Sequence, residues 1–578
     1  MRRLLFAHYD RDGLVDPHVR RLFAALAADC DDSWFIHNGE AAPGGPAAVE
    51  PIAGRVIVRP NRGFDFGAWG ETITEHAAEV LACDELVLAN SSCYGPLFPL
   101  APYWEKMAAI DCDIWGMTRH HAVRGIPEHL QSYFLVIRRP VLASAAFRDF
   151  WRGAASSCGT MAAAVRRGEI EFSCRMRAAG FRLAACIEPE DRRENLRVGI
   201  AESFCVNNAD WLIGEYRLPL LKVKAFERVP DTPVRRGGAI FAALRRSGSD
   251  YPTGLITDHL RRTAPLSWQL DLPETLLTEP EAPPSPPPLK VAVMMHVYYP
   301  EMLDELLMYI GRIPADIDLI VTTPHAGVAE RIEASPFRPA RAKAVRVIQV
   351  PNRGRDIAPW LSALPPAEHL AYDVVLKLHT KGAPNQPAAF GSEWRRWTLE
   401  NLAGSTALAG AVLAAFAAEP KLGVVLPPYP PVVTEQCPEA ASGSPADAAL
   451  AAELLARLKL NPPPEPDRPV FGIGTMFYYR PAALAPLFEL GLKPEDLPPE
   501  PLPWRGTLAH AVERLPVTVA QGAGYYFRQS VTREALAEGF RRYENAALYP
   551  DRTVRPALAA LKRALLRSLR VRLARFGN

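Results

Sequence analysis

No Cys-x-x-Cys pair occurs among the nine cysteines of this chain, and eight of the nine fall before position 206. An odd number without metal-ligand spacing forms neither a complete disulfide framework nor a zinc site, so the expected compartment is a reducing cytosol. No apolar run approaches the roughly 20 residues of a membrane span. The opening run, Leu4 to Ala7, is too short for a signal peptide and reads as a first strand. Walker loop, Gly-x-Gly-x-x-Gly and His-Glu-x-x-His are all missing, which removes kinase, dehydrogenase and zinc-hydrolase chemistry. An excess of one charge sign is missing too, with 66 basic against 64 acidic residues. That balance hides one local departure: after Asp551 come eight basic residues and no acid, leaving the remainder net acidic.

A decapeptide is written twice, 291 residues apart: Pro-Asn-Arg-Gly-Phe-Asp-Phe-Gly-Ala-Trp from Pro60 to Trp69, and Pro-Asn-Arg-Gly-Arg-Asp-Ile-Ala-Pro-Trp from Pro351 to Trp360. Each copy follows Arg-Val-Ile, at Arg55 and Arg346, and each half opens with an apolar run ending in His8 or His296. Further apolar runs begin after Asp84 and Asp373. Together these signals predict strand, helix, strand, strand, polar loop, helix, strand, the pattern of a mostly parallel α/β sheet. The Asn-Arg-Gly-x-Asp copies sit where a strand hands over to a helix, which is where such sheets bind ligands.

Residues 279–288 hold six prolines in ten and read as a stiff linker. The expected organisation is a first α/β domain over 1–272, a Pro-rich linker over 273–288, a second α/β domain over 289–548 and a C-terminal basic amphipathic helix over 549–578. In that helix Leu558, Leu561, Leu565, Leu569 and Leu573 line one face and arginines the other. Such a face docks on the protein or lies on an anionic membrane; no nucleic-acid partner is expected. The small-residue stretch 440–446 reads as a loop able to act as a lid.

The second half resembles glycosyltransferases of the GT-A fold. Asn352-Arg353-Gly354 is followed at the usual distance by Tyr372-Asp373-Val374-Val375-Leu376-Lys377-Leu378, but His379-Thr380-Lys381 stands where that fold carries a metal-binding Asp-x-Asp. The whole chain, from about residue 1 to 530, resembles the rhamnan synthesis protein F family of bacterial cell-surface polysaccharide biosynthesis. The resemblance rests on Asn61 to Asp65, Asn90 to Leu97, Trp115 to Thr118, His129 to Phe134, Asn352 to Asp356, Lys377 to Lys381, Trp394 to Arg396 and Gly474 to Phe477. It implies two tandem GT-A-like domains. It also implies a cytoplasmic glycosyltransferase moving rhamnose or another deoxyhexose from a nucleotide sugar such as dTDP-rhamnose to a lipid-linked glycan, as in O-antigen synthesis; the basic C-terminal helix is expected to make it peripheral at the inner membrane face. A degenerate GT-A fold serving as a non-catalytic glycan-binding or assembly factor is the alternative.

A nucleotide sugar leaves as a diphosphate, whose developing charge must be met by a metal on hard oxygen ligands or by clustered cations. A divalent metal remains open, but no Asp-x-Asp holds it, and no metal ligand is assigned. The donor-binding candidates are Asn352, Arg353, Gly354, Arg355, His379, Lys381, Trp394 and Arg395, with Gly354 letting backbone amides approach a phosphate. The base for the acceptor hydroxyl is sought in Glu513, which shares a helix face with His510, and in Asp356. The first domain offers Asn61, Arg62, Asp65, Asn90, Ser92, Tyr94, His129 and Gln131, a set that donates hydrogen bonds but holds less charge; either its site works through neutral donors or it binds glycan without turnover. Glu169 and Glu171 occupy its corresponding late position. Trp104, Trp397 and Trp504 are further candidates for sugar stacking, weighed against core burial.

Overall fold

Leu4 and Phe6 of the opening strand enter one apolar cluster, while Leu5 and Ala7 enter another on the opposite face. Trp34 and Ile36 alternate with Phe35 in the same way. Strands that are apolar on both faces must be covered on both, which is why these runs lack the apolar/polar alternation of a half-exposed sheet. The computed structural model describes residues 1–122, 125–188, 204–227, 237–285, 288–382, 387–437, 444–465, 469–500, 502–503 and 505–539. The basic segment 549–578 and Trp504 lie outside the described residues, as do 440–443 of the small-residue stretch; its last residues open a helix, Pro445–Arg457, capped by Ser444.

The chain divides into two compact units, Met1–Ala264 with Trp268–Pro273, and Pro265–Ser267 with the residues from Glu274 onward. In the first, β1 (Arg2–Tyr9), β2 (Asp32–Asn38), β3 (Arg55–Arg59) and β4 (Glu85–Asn90) are mutually parallel. A short pair, β5 (Cys93–Tyr94) with β10 (Leu221–Lys222), stands apart. The sheet continues through β6 (Ile114–His120), β7 (His129–Leu130), β8 (Phe134–Arg138) and β9 (Leu183–Ile187), in the order β3-β2-β1-β4-β8-β6-β7, with β9 parallel to β6. Only β7 and β8 run against their neighbours.

The second unit repeats this plan. Its strands are β11 (Leu276–Thr278), β12 (Val291–His296), β13 (Ile317–Thr323), β14 (Ala342–Gln349), β15 (Val374–His379), β16 (Leu422–Leu426), β17 (Phe477–Tyr479) and β18 (Tyr526–Val531), in the order β11-β18-β16-β17-β15-β12-β13-β14. Strand for strand, β14-β13-β12-β15 corresponds to β3-β2-β1-β4, and the antiparallel β17 takes the place of β8. Both sheets are therefore mixed but mostly parallel. Within the segment read as a linker, β11 pairs with β18, so that segment also supplies a strand to the second sheet.

The repeated decapeptide is a repeat of backbone conformation. It joins β3 to helix α1 (Phe64–Glu75) and β14 to helix α2 (Ile357–Ser362). Gly63 and Phe64 have φ of 74° and 54°, and Gly354 and Arg355 have 70° and 52°. Two successive left-handed residues, one bearing a side chain, are costly, so their recurrence marks a turn that the surrounding structure enforces twice. Gly354 has a second reason to be glycine: a Cβ there would sit 2.7 Å from Leu497 Cδ2 and 2.8 Å from Ala358 Cβ. Its bareness therefore serves packing at this turn.

Among the described residues no single helix is long and apolar enough to cross a membrane. Ala389–Ala403 and Thr406–Ala418, bent by 59°, pass as a pair on length and composition. Leu399, Leu402, Leu413 and Phe416 of this pair nevertheless lie in the core of the second unit.

Candidate functional site

Strand β15 decides the geometry of the second unit's site. Its alternation carries Lys377 and His379 to one side and Leu376 and Leu378 into the core, and Lys381 follows just beyond its end. On that side lies a cavity of about 630 Å³, lined by Asn352, Arg355, Asp356, His379, Lys381, Trp394, His510 and Glu513 of the expected residues. Tyr298, Tyr299, Gly474, Thr475, Glu500, Arg505 and Arg514 complete much of its wall.

Asp356 in the cavity wall belongs to a buried ion pair. Lys377 Nζ lies 2.5 Å from Asp356 Oδ2 and 2.9 Å from the Thr475 carbonyl, and the Thr475 hydroxyl donates to the same carboxylate oxygen. Burial alone would raise the Asp356 carboxyl; His379, Lys377 and the Thr475 hydroxyl reverse that and hold it well below the usual range. A carboxylate so strongly stabilised is a weak proton acceptor, although Asp356 also lines the cavity. Its work is to anchor the turn. Lys377 went unrecognised as a site residue, although a lysine inside an apolar strand was the signal for it.

His379 is likewise held. Its Nε2 donates to the Gly474 carbonyl at 2.6 Å, and burial lowers its pKa. It lines the cavity and fastens the Gly474 turn. The Gly474 amide donates to Glu513 Oε1 at 2.9 Å, so one glycine with φ of 90° links histidine and carboxylate. Glu513 and His510 sit on a short helix, Leu508–Glu513, capped by Thr507. The Thr507 hydroxyl is 2.7 Å from His510 Nδ1, and burial lowers the His510 pKa.

Lys381 differs from its neighbours in being uncommitted. Its Nζ lies 3.8 Å from the centroid of the Trp394 ring and pairs with no carboxylate among the described residues. Burial lowers its pKa, while Glu513 and Asp356 pull the other way. Arg355 reaches toward Glu500 at 3.8 Å and stays half exposed. Arg353 does not join them: its guanidinium donates to the carbonyls of Leu497 and Glu495, both at 2.8 Å, so it staples a loop and is corrected from donor ligand to support. Arg395 is corrected in the same way, binding Glu305 at 2.7 Å and the Lys381 carbonyl at 3.0 Å. It positions Lys381 from behind.

In the first unit the matching turn is quieter. Asn61 and Arg62 are exposed on the loop. Asp65 Oδ2 accepts from Asn90 Nδ2 at 2.8 Å, and Asn90 Oδ1 accepts from the Ser92 hydroxyl at 2.6 Å, so these three expected residues meet in one network. Beside it His129 lies 3.5 Å from Glu169, and Gln131 Oε1 accepts from the Thr118 hydroxyl at 2.8 Å. Glu171 instead pairs with Arg175 on the surface. Tyr94 is fully buried with its hydroxyl taken by His259, a correction to its role in that site. Trp104, donating to Asp29 at 2.8 Å, and the buried Trp397, donating to the Pro428 carbonyl at 3.0 Å, serve packing.

Asp65 and Glu169 titrate in opposite senses. Burial pushes the Asp65 carboxyl up to about 6, only partly offset by Asn90 and Lys222. Burial would also raise Glu169, but His129, Lys222 and Ser132 bring it down to about 2. Asp65 therefore contributes stability that is complete below its unfolded value near 3.8 and is lost as pH rises through about 6. Glu169 contributes stability present above its unfolded value near 4.5 and lost as pH falls through about 2. Asp65→Asn is accordingly expected to stabilise the first unit at pH 7 by on the order of 2 kcal/mol, with the advantage gone near pH 4. Calorimetric melting of both proteins across that range checks it, and an advantage independent of pH refutes it.

Comparison with known proteins follows the same residues. The model of the family described as rhamnan synthesis protein F matches residues 34–525. Uncharacterized protein WxcX from two strains of Xanthomonas campestris pv. campestris is 32% identical over 223 residues, 38% of this chain and 30% of the relative, so the match spans less than a third of those relatives. Among solved structures, the glycosyltransferase GlyE of Streptococcus pneumoniae TIGR4 is 11% identical, covering 66% of this chain and 86% of that one at a TM-score of 0.23. Its apo form is 10% identical, covering 67% and 87% at the same TM-score of 0.23. A score so low carries no inference about fold or activity.

Proposed function

The chain belongs to the rhamnan synthesis protein F family, and from that premise we propose that it is a glycosyltransferase whose donor site is the cavity of the second unit. The observation that carries the reading is Lys381: a cation without a carboxylate partner among the described residues, held over Trp394 and opening on a cavity of about 630 Å³. Clustered cations stabilise a diphosphate leaving group as a metal does, and Arg355 and Arg505 stand in the same wall. Trp394, Tyr298 and Tyr299 give flat apolar faces for a sugar or base. Glu513, fixed through one oxygen by the Gly474 amide, is the residue we assign as base, with His510 beside it.

We extend the proposal to a rhamnosyl or other deoxyhexosyl donor such as dTDP-rhamnose. The acceptor is a lipid-linked cell-surface glycan, reached at the inner face of the cytoplasmic membrane through the basic segment 549–578. The family description supports the sugar, and the eight cations with their leucine face support the membrane. The alternative of glycan binding without turnover suits the first unit better. There Phe64 stands where the second unit has Arg355, and Asp65, Asn90 and Ser92 bond to one another.

The test is transfer from a panel of nucleotide sugars to a lipid-linked acceptor, with nucleoside diphosphate affinity measured beside it. With cations serving the diphosphate, that affinity is expected to be unchanged in EDTA. Loss of affinity on chelation, restored by a divalent ion, would replace the cationic site with a metal site; absence of transfer from every donor would favour the binding role.

A further inference from the structure

A second cluster of chemistry-bearing side chains lies in the first unit, away from the turn of the repeated decapeptide. Asp16 and His18 open the helix Pro17–Ala28, and His259 belongs to the helix Gly254–Thr263. One ligand atom from each can be chosen so that all three lie within 4.8 Å of one another. Asp16 stands at the N-cap position, yet its side chain does not cap the helix. His18 is only 2% exposed, and neither of its ring nitrogens has a hydrogen-bond partner among the described residues. A buried imidazole with both nitrogens unserved is uncommon, because each has given up water for nothing. Its ring centroid lies 4.3 Å from that of His259, so it faces the cluster.

We propose that Asp16, His18 and His259 bind one divalent transition metal of the zinc class. Two imidazole nitrogens and a carboxylate oxygen form a donor set for such ions, with a fourth position left for water or another oxygen. The outer partners suit it. The Tyr94 hydroxyl lies 2.6 Å from His259 Nδ1 and the Thr263 hydroxyl 3.3 Å from Nε2; with the proton on Nδ1 and donated to Tyr94, Nε2 exchanges its long contact with Thr263 for the metal. Nε2 is 3.9 Å from Asp16 Oδ2, which a modest approach of the two helices would bring to a shared ion. Arg262 binds Asp16 Oδ2 at 2.5 Å, but a carboxylate has about four lone-pair sites, so this contact does not exhaust it. Arg262 also pairs with Asp10 and Asp12, so three carboxylates face one guanidinium and the local charge favours a cation. Bound there, the ion ties two helices that are far apart in sequence. It involves none of the residues assigned to donor binding, so this site stands or falls separately from the transferase reading.

The experiment uses the full chain, stripped with chelator, dialysed and reloaded with Zn(II) or Co(II) alone. One equivalent retained, visible Co(II) bands without thiolate charge transfer, and a higher melting temperature of the first unit are expected. His259→Gln should weaken binding at least tenfold, as loss of an inner ligand must exceed the roughly 10–100-fold effect of losing an outer one. Unaltered binding by that variant would overturn the proposal, as would failure of the wild-type chain to retain metal. Because a core variant can misfold, X-ray absorption of the Zn(II)-loaded wild-type protein tests the ligands independently of any substitution. Imidazole scattering at about 2.0–2.1 Å supports the site, and sulfur at about 2.3 Å assigns the metal to cysteines and overturns it.

Discussion

Replacing Lys381 with alanine is expected to lower sugar transfer by roughly 10²–10³-fold, the scale for removing one group that stabilises charge developing in a transition state. The reason lies in what surrounds it. Lys377 is bound to Asp356, Arg353 to two backbone carbonyls and Arg395 to Glu305, whereas Lys381 lies over the face of Trp394 and pairs with no carboxylate among the described residues. The cost to stability should be small, about 0.5–1 kcal/mol for a lost cation–π contact. Steady-state kinetics and thermal unfolding of one preparation check both statements. Undiminished transfer by Lys381→Ala would remove this residue from the donor site, and a collapse of stability would return it to the framework.

Lys377→Met is expected to destabilise the second unit by about 3–5 kcal/mol, the largest stability effect foreseen in this molecule. It strands the Asp356 carboxylate in a buried place, where the charge is uncompensated. The same pair replaced together, Lys377→Met with Asp356→Asn, should recover most of the loss, because burial already lowers the Lys377 pKa and the pair gains little net energy over neutral packing. The depressed Asp356 carboxyl contributes stability present above its unfolded value near 3.8, lost only as pH falls far below it. The single variant should therefore recover part of its deficit as pH drops toward 4 and the stranded carboxylate takes up a proton. Denaturant unfolding of the single and double variants at pH 7 and pH 4 measures this, and equal losses in single and double variants would show that packing, not charge, is at stake.

The strand-to-helix position of both Asn-Arg-Gly-x-Asp segments was legible because two different patterns meet there: a short strand containing Arg-Val-Ile before it and a helical pattern after it. The duplication was legible because the same ten positions recur, and the matched strand orders and left-handed turns are its tertiary counterpart. His379 and Lys381 could be placed on one side of β15 by alternation alone, and His510 with Glu513 on one helix face by spacing.

What each of these residues is bonded to could not be read that way, since partners come from positions distant in the chain. Arg353 and Arg355 are alike in sequence, yet Leu497 and Glu495, some 140 residues on, take the first and leave the second at the cavity. Asp356 carries the side chain of a base, but Lys377 and Thr475 convert it into a fixed anion. Gly354 has the bareness of a phosphate turn, but Leu497 fills the space beside it. Sequence determined which chemical groups this protein owns and which face each one takes; only the packed structure decided which charges were neutralised by desolvated partners and which, like Lys381, have no carboxylate partner among the described residues.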